Sequence, residues 1–198
     1  MRPLLAALAA WTILCTGAAA APTSTDPTKV PAGEYVLDKK HASLTLKILH
    51  LGFSRYTMRF DGLSGGFTYD PAAWQKTTAT IEVEAASIDT GSESFNKEIA
   101  GFFDAAKYPK ITFVTHGFEA VEGSSAKLTG DLTFHGVTKP VTLDVVFNGV
   151  GPGVMGGGTR LGFSGLGKIK RSDFGVDNYD KMVGDDVDLM IEVEFYKK

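Results

Sequence analysis

From Tyr35 to Phe195 the chain alternates apolar and polar residues with a period of two, interrupted by short polar or glycine-bearing stretches. Leu44, Leu46 and Ile48 share one face of a first strand, and His50 falls in the same register. Ala79, Ile81, Val83 and Ala85 form a second such face, opposite Thr78, Thr80, Glu82 and Glu84. The pattern returns through Ile111 and Phe113, Leu128 to Phe134, Val141 to Phe147, Leu161 to Ile169, and Val187 to Phe195. Successive side chains of a strand point to opposite faces, so each segment has one buried and one wet side. Short connections make the sheet antiparallel. With about eight segments and no second set to form another sheet, closure into a barrel is the economical way to remove the edges. Glycines at Gly65, Gly66, Gly130, Gly162, Gly165 and Gly167 suit a strongly bent wall.

One stretch changes period. Phe95, Ile99, Phe102 and Phe103 recur at helical spacing, after Ser92 and before Pro109, which predicts an amphipathic helix from Glu93 to Asp104 against the barrel or over its mouth. A glycine-rich break from Gly149 to Thr159 reads as a hairpin connection. The break at His135 to Pro140 reads as another, with Pro140 beginning the next strand.

The first residues follow neither period. Arg2 precedes an apolar run from Leu4 to Leu14, and Ala18, Ala19 and Ala20 follow before Pro22. This predicts a secretory signal peptide at 1–20, cleaved near Ala20, with 21–33 a linker and 34–198 the domain. The apolar run is too short for a bilayer, which takes roughly 20 residues, so no stable membrane span is expected. Cys15 is the only cysteine and would leave with the leader; Leu14 before it is too bulky for a lipidation site.

Composition narrows the function classes. The formal net charge is -3, which gives no electrostatic reason to expect nucleic acid. Gly62-Leu63-Ser64-Gly65-Gly66 imitates a hydrolase elbow, but the serine sits in a strand rather than a strand-to-helix turn. Asp173-Phe174-Gly175 has no companion kinase motifs. Histidines 41, 50, 116 and 135 have no ligand spacing, and no carboxylate pair sits in an apolar setting, so no metal, cofactor or catalytic residue is assigned. Two readings compete for His135, a catalytic or metal group at a hairpin tip or a part of the turn. Many inward apolar positions with few convergent polar ones suit an apolar pocket.

The residues also resemble a known family. "LDKKHASLTLKILHLGFSRYTMRFDGLSGGF", "IDTG", "FFDAAKYPKITF", "GDLTFHGVTKPVTLDVVFNGVG" and "KIKRSDFGVD" are similar, in this order, to blocks of the bacterial YceI-like family. Phe95-Asn96-Lys97-Glu98-Ile99 departs from the Arg/Asp plus His-Leu pattern expected there. The resemblance implies a lipocalin-like barrel in the periplasm, with an elongated cavity for polyisoprenoid or other long-chain lipids and no catalytic residues. Inward alternation then nominates Leu44, Leu46, Ile48 and His50, with Phe67, Ile81 and Val83, as cavity wall. Phe113, Leu132, Phe134, Leu143 and Phe163 complete it, with Phe102 and Phe103 from the helix. A homodimer is left open. The competing expectations are a structural or stress-related interaction module with a filled barrel, and a lipid-modifying enzyme using His50 or His135.

Overall fold

The computed structural model describes residues 24–153 and 157–198. Ten strand segments form one antiparallel sheet: β1 (Gly33–His50), β2 (Ser54–Phe60), β3 (Leu63–Tyr69), β4 (Ala79–Glu84) and β5 (Ile88–Asp89), then β6 (Lys110–Glu122), β7 (Ser125–Phe134), β8 (Val137–Pro152), β9 (Thr159–Lys170) and β10 (Val183–Lys197). Pairing of β10 with β1 closes it. Two of its staves are bent pairs of segments. β2 pairs with the second half of β1 and β3 with the first, and β5 and β4 continue beside them in the same order. The result is the closed eight-stranded barrel that the alternation predicts.

Glycine is required where staves cross closely. A Cβ on Gly65 would strike the Thr80 carbonyl, and one on Gly66 the Tyr35 carbonyl. Gly162 and Gly165 differ from that expectation, because a Cβ there would meet neighbours only at 3.6 and 3.4 Å.

The single α-helix among the described residues, α1 (Glu93–Phe102), ends two residues earlier than predicted, where Phe103 caps it and Asp104 turns to φ 48°. Asn96 fixes its start, its Oδ1 accepting from the Thr90 N–H and hydroxyl at 2.7 Å each. The side chains of Phe95, Ile99 and Phe103 pack toward the core, so the helix covers one end of the barrel where β3 and β4 have given way to the short β2 and β5.

The other end is covered by a segment that sequence composition reads as linker. Residues 1–23, with the leader reading and Cys15, lie outside the described residues, but from Ser24 the chain is packed. Ser24 bridges Val150, Val30 is 3% exposed, and Tyr69 Oη donates to the Pro27 carbonyl at 2.6 Å. Burial pushes the Tyr69 phenol up to about 12, so this contact survives ordinary alkaline pH. Low-periodicity sequence is therefore no sign of a free spacer here: Asp26 caps a 3-10 turn and the apolar Pro27 and Val30 point inward.

The His135 connection is also tighter than expected. Phe134 pairs with Val137, leaving a two-residue turn in which His135 and Gly136 have φ 50° and 76°. Both positive angles match the turn that continues the right-handed twist of a hairpin. Pro140 lies within β8, opposite Asp131, at a level where β9 has not yet begun to pair. The His135 ring is half-buried: Nδ1 donates to the Phe174 carbonyl at 2.9 Å and the ring meets Tyr108 edge-on at 5.2 Å.

On the outer wall, Arg160 Nη1 donates to Asp38 at 2.6 Å and Glu194 at 3.2 Å, and His41 Nδ1 lies 2.9 Å from Asp38. The Arg160 guanidinium first, and His41 second, hold the Asp38 carboxyl far below the usual carboxylate range.

Three outcomes are expected. Gly136→Val should destabilise by about 2–4 kcal/mol, since a β-branched residue is strained at this φ and a Cβ would lie 2.5 Å from Tyr108. His135→Ala should lose only about 1–2 kcal/mol with its hydrogen bond to Phe174; urea unfolding of both variants checks the ranking. The depressed Asp38 pKa stabilises fully above about pH 4, and this contribution is lost as pH falls through the folded value. Asp38→Asn should be less stable at neutral pH and show a shallower acid decline of melting temperature than wild type.

Candidate functional site

The interior is apolar and divided into compartments along its axis. A central cavity of about 170 Å³ lies within the barrel, and its wall presents no polar surface. Leu44, Ile81, Val83, Phe113, Leu132, Leu143 and Phe163 all face it, from six different strands. Thr115 and Ser164 also border it but are engaged elsewhere, Thr115 accepting from the Ala79 N–H and Ser164 donating to Glu192. Phe163 and Phe118 continue into a smaller cavity of about 100 Å³ at the end closed by Val30 and Trp74; Phe67 belongs to this one. Phe67 stacks on Tyr35 at 5.3 Å and meets Phe195 at 5.0 Å, so this end is largely filled by rings.

The largest compartment, about 390 Å³, lies at the opposite end between α1, the β1–β2 hairpin and the β9–β10 connection. Ile48, His50, Phe102 and Phe103 line it, as alternation and helical spacing nominate. The two helix-end rings divide as adjacent positions must. Phe103 turns to the barrel, its ring 6.1 Å from Phe60 and 5.1 Å from Phe134, whereas Phe102 meets Tyr179 edge-on at 5.6 Å.

Leu46 and Phe134 depart from the expected cavity wall. Leu46 lies between Leu44, which lines the central cavity, and Ile48, which lines the mouth, yet borders neither. Phe134 is packed between Phe103 and Phe174. With Phe60 these side chains form a partition between the two compartments. Two-residue periodicity identifies the inward face but not whether an inward side chain meets a void or another side chain.

His50 keeps the alternating register and lines the mouth compartment, but at the end of β1 its imidazole is exposed, and opposite it the β10 pairing slips by two residues. It has no side-chain hydrogen bond among the described residues. His135 faces a carbonyl and an aromatic edge, so neither ring is joined to a nucleophile or carboxylate. Asp38, His41 and Glu194 bring ligand atoms within 4.8 Å of one another, but Arg160 already bridges two of them as the local cation.

Sequence reasoning missed the β9–β10 connection as a wall. Val176, Tyr179 and Met182 line the mouth compartment, and their signal was three apolar residues in an otherwise polar stretch. Arg171 holds this segment. It is 7% exposed and donates Nε–H to Gly184 O at 2.9 Å, Nη1 to Val176 O and Asn178 O at 2.8 Å each, and Nη2 to Val183 O at 3.1 Å. Backbone carbonyls thus stand in for a carboxylate partner. The chemistry available is apolar enclosure with a mixed polar rim of His50, Glu98 and Asn178.

Comparison with known proteins locates this architecture. Residues 35–195 match the model of the YceI-like domain. A UPF0312 protein of Pseudomonas savastanoi is 38% identical over 149 residues, covering 73% of this chain and 77% of the relative. The crystal structure of a Campylobacter jejuni YCEI protein, 35% identical, superposes with a TM-score of 0.66 over 77% of this chain and 91% of that one. A polyisoprenoid binding domain from Saccharophagus degradans shares the fold at TM-score 0.61 and 18% identity, over 83% of this chain and 98% of that one.

The partition makes a specific prediction. Phe103→Ala should open the mouth compartment toward the central cavity, at a stability cost of about 3 kcal/mol. Xenon or small apolar probes, read by methyl shifts of Leu44 and Ile48, should then report one connected site rather than two; two unchanged independent sites would show that the partition lies elsewhere.

Proposed function

The chain belongs to the YceI-like family, and on that premise we propose that it is a binding protein that holds the apolar chain of a polyisoprenoid or similar long-chain lipid inside its barrel. One observation carries the reading: a closed barrel keeps apolar voids, the central one walled only by carbon, instead of filling them. Empty apolar volume forfeits dispersion contacts along its lining, so a fold that retains it gains when an apolar guest replaces them. Burying a methylene is worth about 0.8 kcal/mol, so one five-carbon isoprene unit contributes about 4 kcal/mol before ordering costs. The Saccharophagus neighbour, named as polyisoprenoid-binding, supports the chain type. The reading includes no catalytic residue and no cofactor.

Entry is from the helix end. The mouth compartment is the largest and borders exposed residues, while the far end is covered by Ser24 to Val30. A guest longer than the mouth compartment must displace Phe103 and its neighbours to reach the central cavity. The polar rim would then meet the head group. The leader reading of residues 1–20 adds the periplasm as the compartment we propose, and no helix among the described residues is long and apolar enough to cross a membrane.

Native mass spectrometry of protein purified from its own host, with lipid extraction, should detect a co-purified long-chain guest. Phe113→Asp places a carboxylate in the carbon-walled cavity and should reduce isoprenoid affinity at least tenfold in protein that still gives a folded spectrum. Unchanged retention by that folded variant would remove the guest from the central cavity and favour a filled-barrel interaction module.

A further inference from the structure

The rim of the mouth is itself apolar and exposed. Leu51, Tyr179 and Met182 line the mouth compartment and are also 46%, 51% and 46% exposed. Beside Leu51, at the tip of the β1–β2 hairpin, Phe53 is 88% exposed. The two loops are joined, since the Leu51 N–H donates to the Met182 carbonyl at 2.8 Å. Leu51 and Tyr179 hold left-handed backbone angles, φ 53° and 55°, which are costly for residues with a Cβ. Strained backbone presents large apolar side chains to solvent at the edge of the mouth compartment.

We propose that this rim, with Phe53 as its leading side chain, docks on the surface of a lipid bilayer so that a guest passes between membrane and cavity without crossing water. The proposal rests on the lipid-binding reading above. Long-chain guests partition so strongly out of water that free monomer is scarce, and a carrier must collect them from a lipid phase. The cavity opens through this patch, so the patch is what that phase meets.

The extent of the surface favours a bilayer over a second copy. Four side chains present roughly 500 Å², toward the upper end of the largest apolar patch that a monomer exposes and by themselves short of the ~800 Å² per partner of a stable protein interface. Charges around the rim nearly balance, with Lys47, Arg55 and Lys181 against Glu98, Asp177, Asp180 and Asp188, the last paired with Arg55 at 2.6 Å. Attraction to anionic lipid is therefore not the driving force. Shallow insertion of aromatic and aliphatic side chains into a zwitterionic surface fits this composition.

The test separates docking from binding. A fluorescent isoprenoid is delivered to wild type and to Phe53→Ser from detergent, and in parallel from zwitterionic vesicles. Detergent-delivered affinity should agree within twofold, because Phe53 does not line the cavity, while uptake from vesicles should slow at least tenfold in the variant. Emission added by Phe53→Trp should be quenched by brominated lipids, even without guest. Equal uptake rates from vesicles, or absence of that quenching, would overturn the proposal and leave the cavity reading standing. So would a wild-type dimer that Phe53→Ser converts to monomer with vesicle uptake unchanged. Failure of wild type to bind detergent-delivered isoprenoid would defeat the cavity reading instead, and the brominated-lipid result would then decide docking by itself.

Discussion

The pairing of β1 with β10 is the constraint on which the structure depends. It joins the first and last strands of the domain, from Tyr35 opposite Lys197 to His50 opposite Val183, and turns an open sheet into a closed surface. Closure leaves no sheet edge to pair with another chain, and it also defines an inside. Once the ring is closed, every two-residue alternation must place one set of side chains in a space of fixed circumference. The tight crossings at Gly65 and Gly66 and the register shifts in β1, β6 and β8 are local adjustments to that geometry.

How that space is filled decides the function. Eight staves leave an interior that side chains can just fill or that can hold one small guest. Here aromatic rings crowd the end near Tyr35, Phe67 and Phe195, while aliphatic side chains from several strands surround a void at the centre. At the helix end the wall changes character. The two-residue β5 cannot carry the barrel wall to full height beside β2, and α1 with the β9–β10 connection covers what remains. A cover made from a helix and a loop, rather than from hydrogen-bonded strands, is the part of such a structure that opens at least cost.

Legibility in the sequence follows the same division. The barrel and the inward faces were readable because alternation is a direct record of burial on one side of a sheet. Ile81, Val83, Phe113 and Leu143 reach the central cavity for that reason. The helix was readable because Phe95, Ile99 and Phe102 break the period. What escaped were features fixed by geometry between segments. Nothing local marks His50 as falling at the exposed rim of the mouth, nor the packing of Phe134 against Phe103 across a sequence separation of 31 residues, which makes it partition rather than wall. Ser24 to Val30 looked like linker because a chain laid across a barrel end needs few apolar anchors and no period. The apolar residues of the mouth loops were visible individually, but only the fold brings Leu51 beside Met182.

Arg171 shows why those loops keep one arrangement without being part of the sheet. A buried guanidinium normally calls for a carboxylate, because an unpaired buried charge is costly. Here four carbonyl oxygens between Val176 and Gly184 take that role, so the cation is solvated by the chain it organises. The charge makes each of these hydrogen bonds stronger than one between neutral groups. Next to it Ser172 donates both its N–H and its hydroxyl to Asp185 at 2.9 Å, fixing the start of β10 relative to the end of β9. The segment is thereby held by polar contacts to its own backbone and by the buried Phe174 and Val176, and Tyr179 and Met182 are spared from the task of anchoring it. Tyr179 and Met182 can therefore stay at the mouth, half in the cavity and half in solvent, where a core-packed loop would have had to turn them inward.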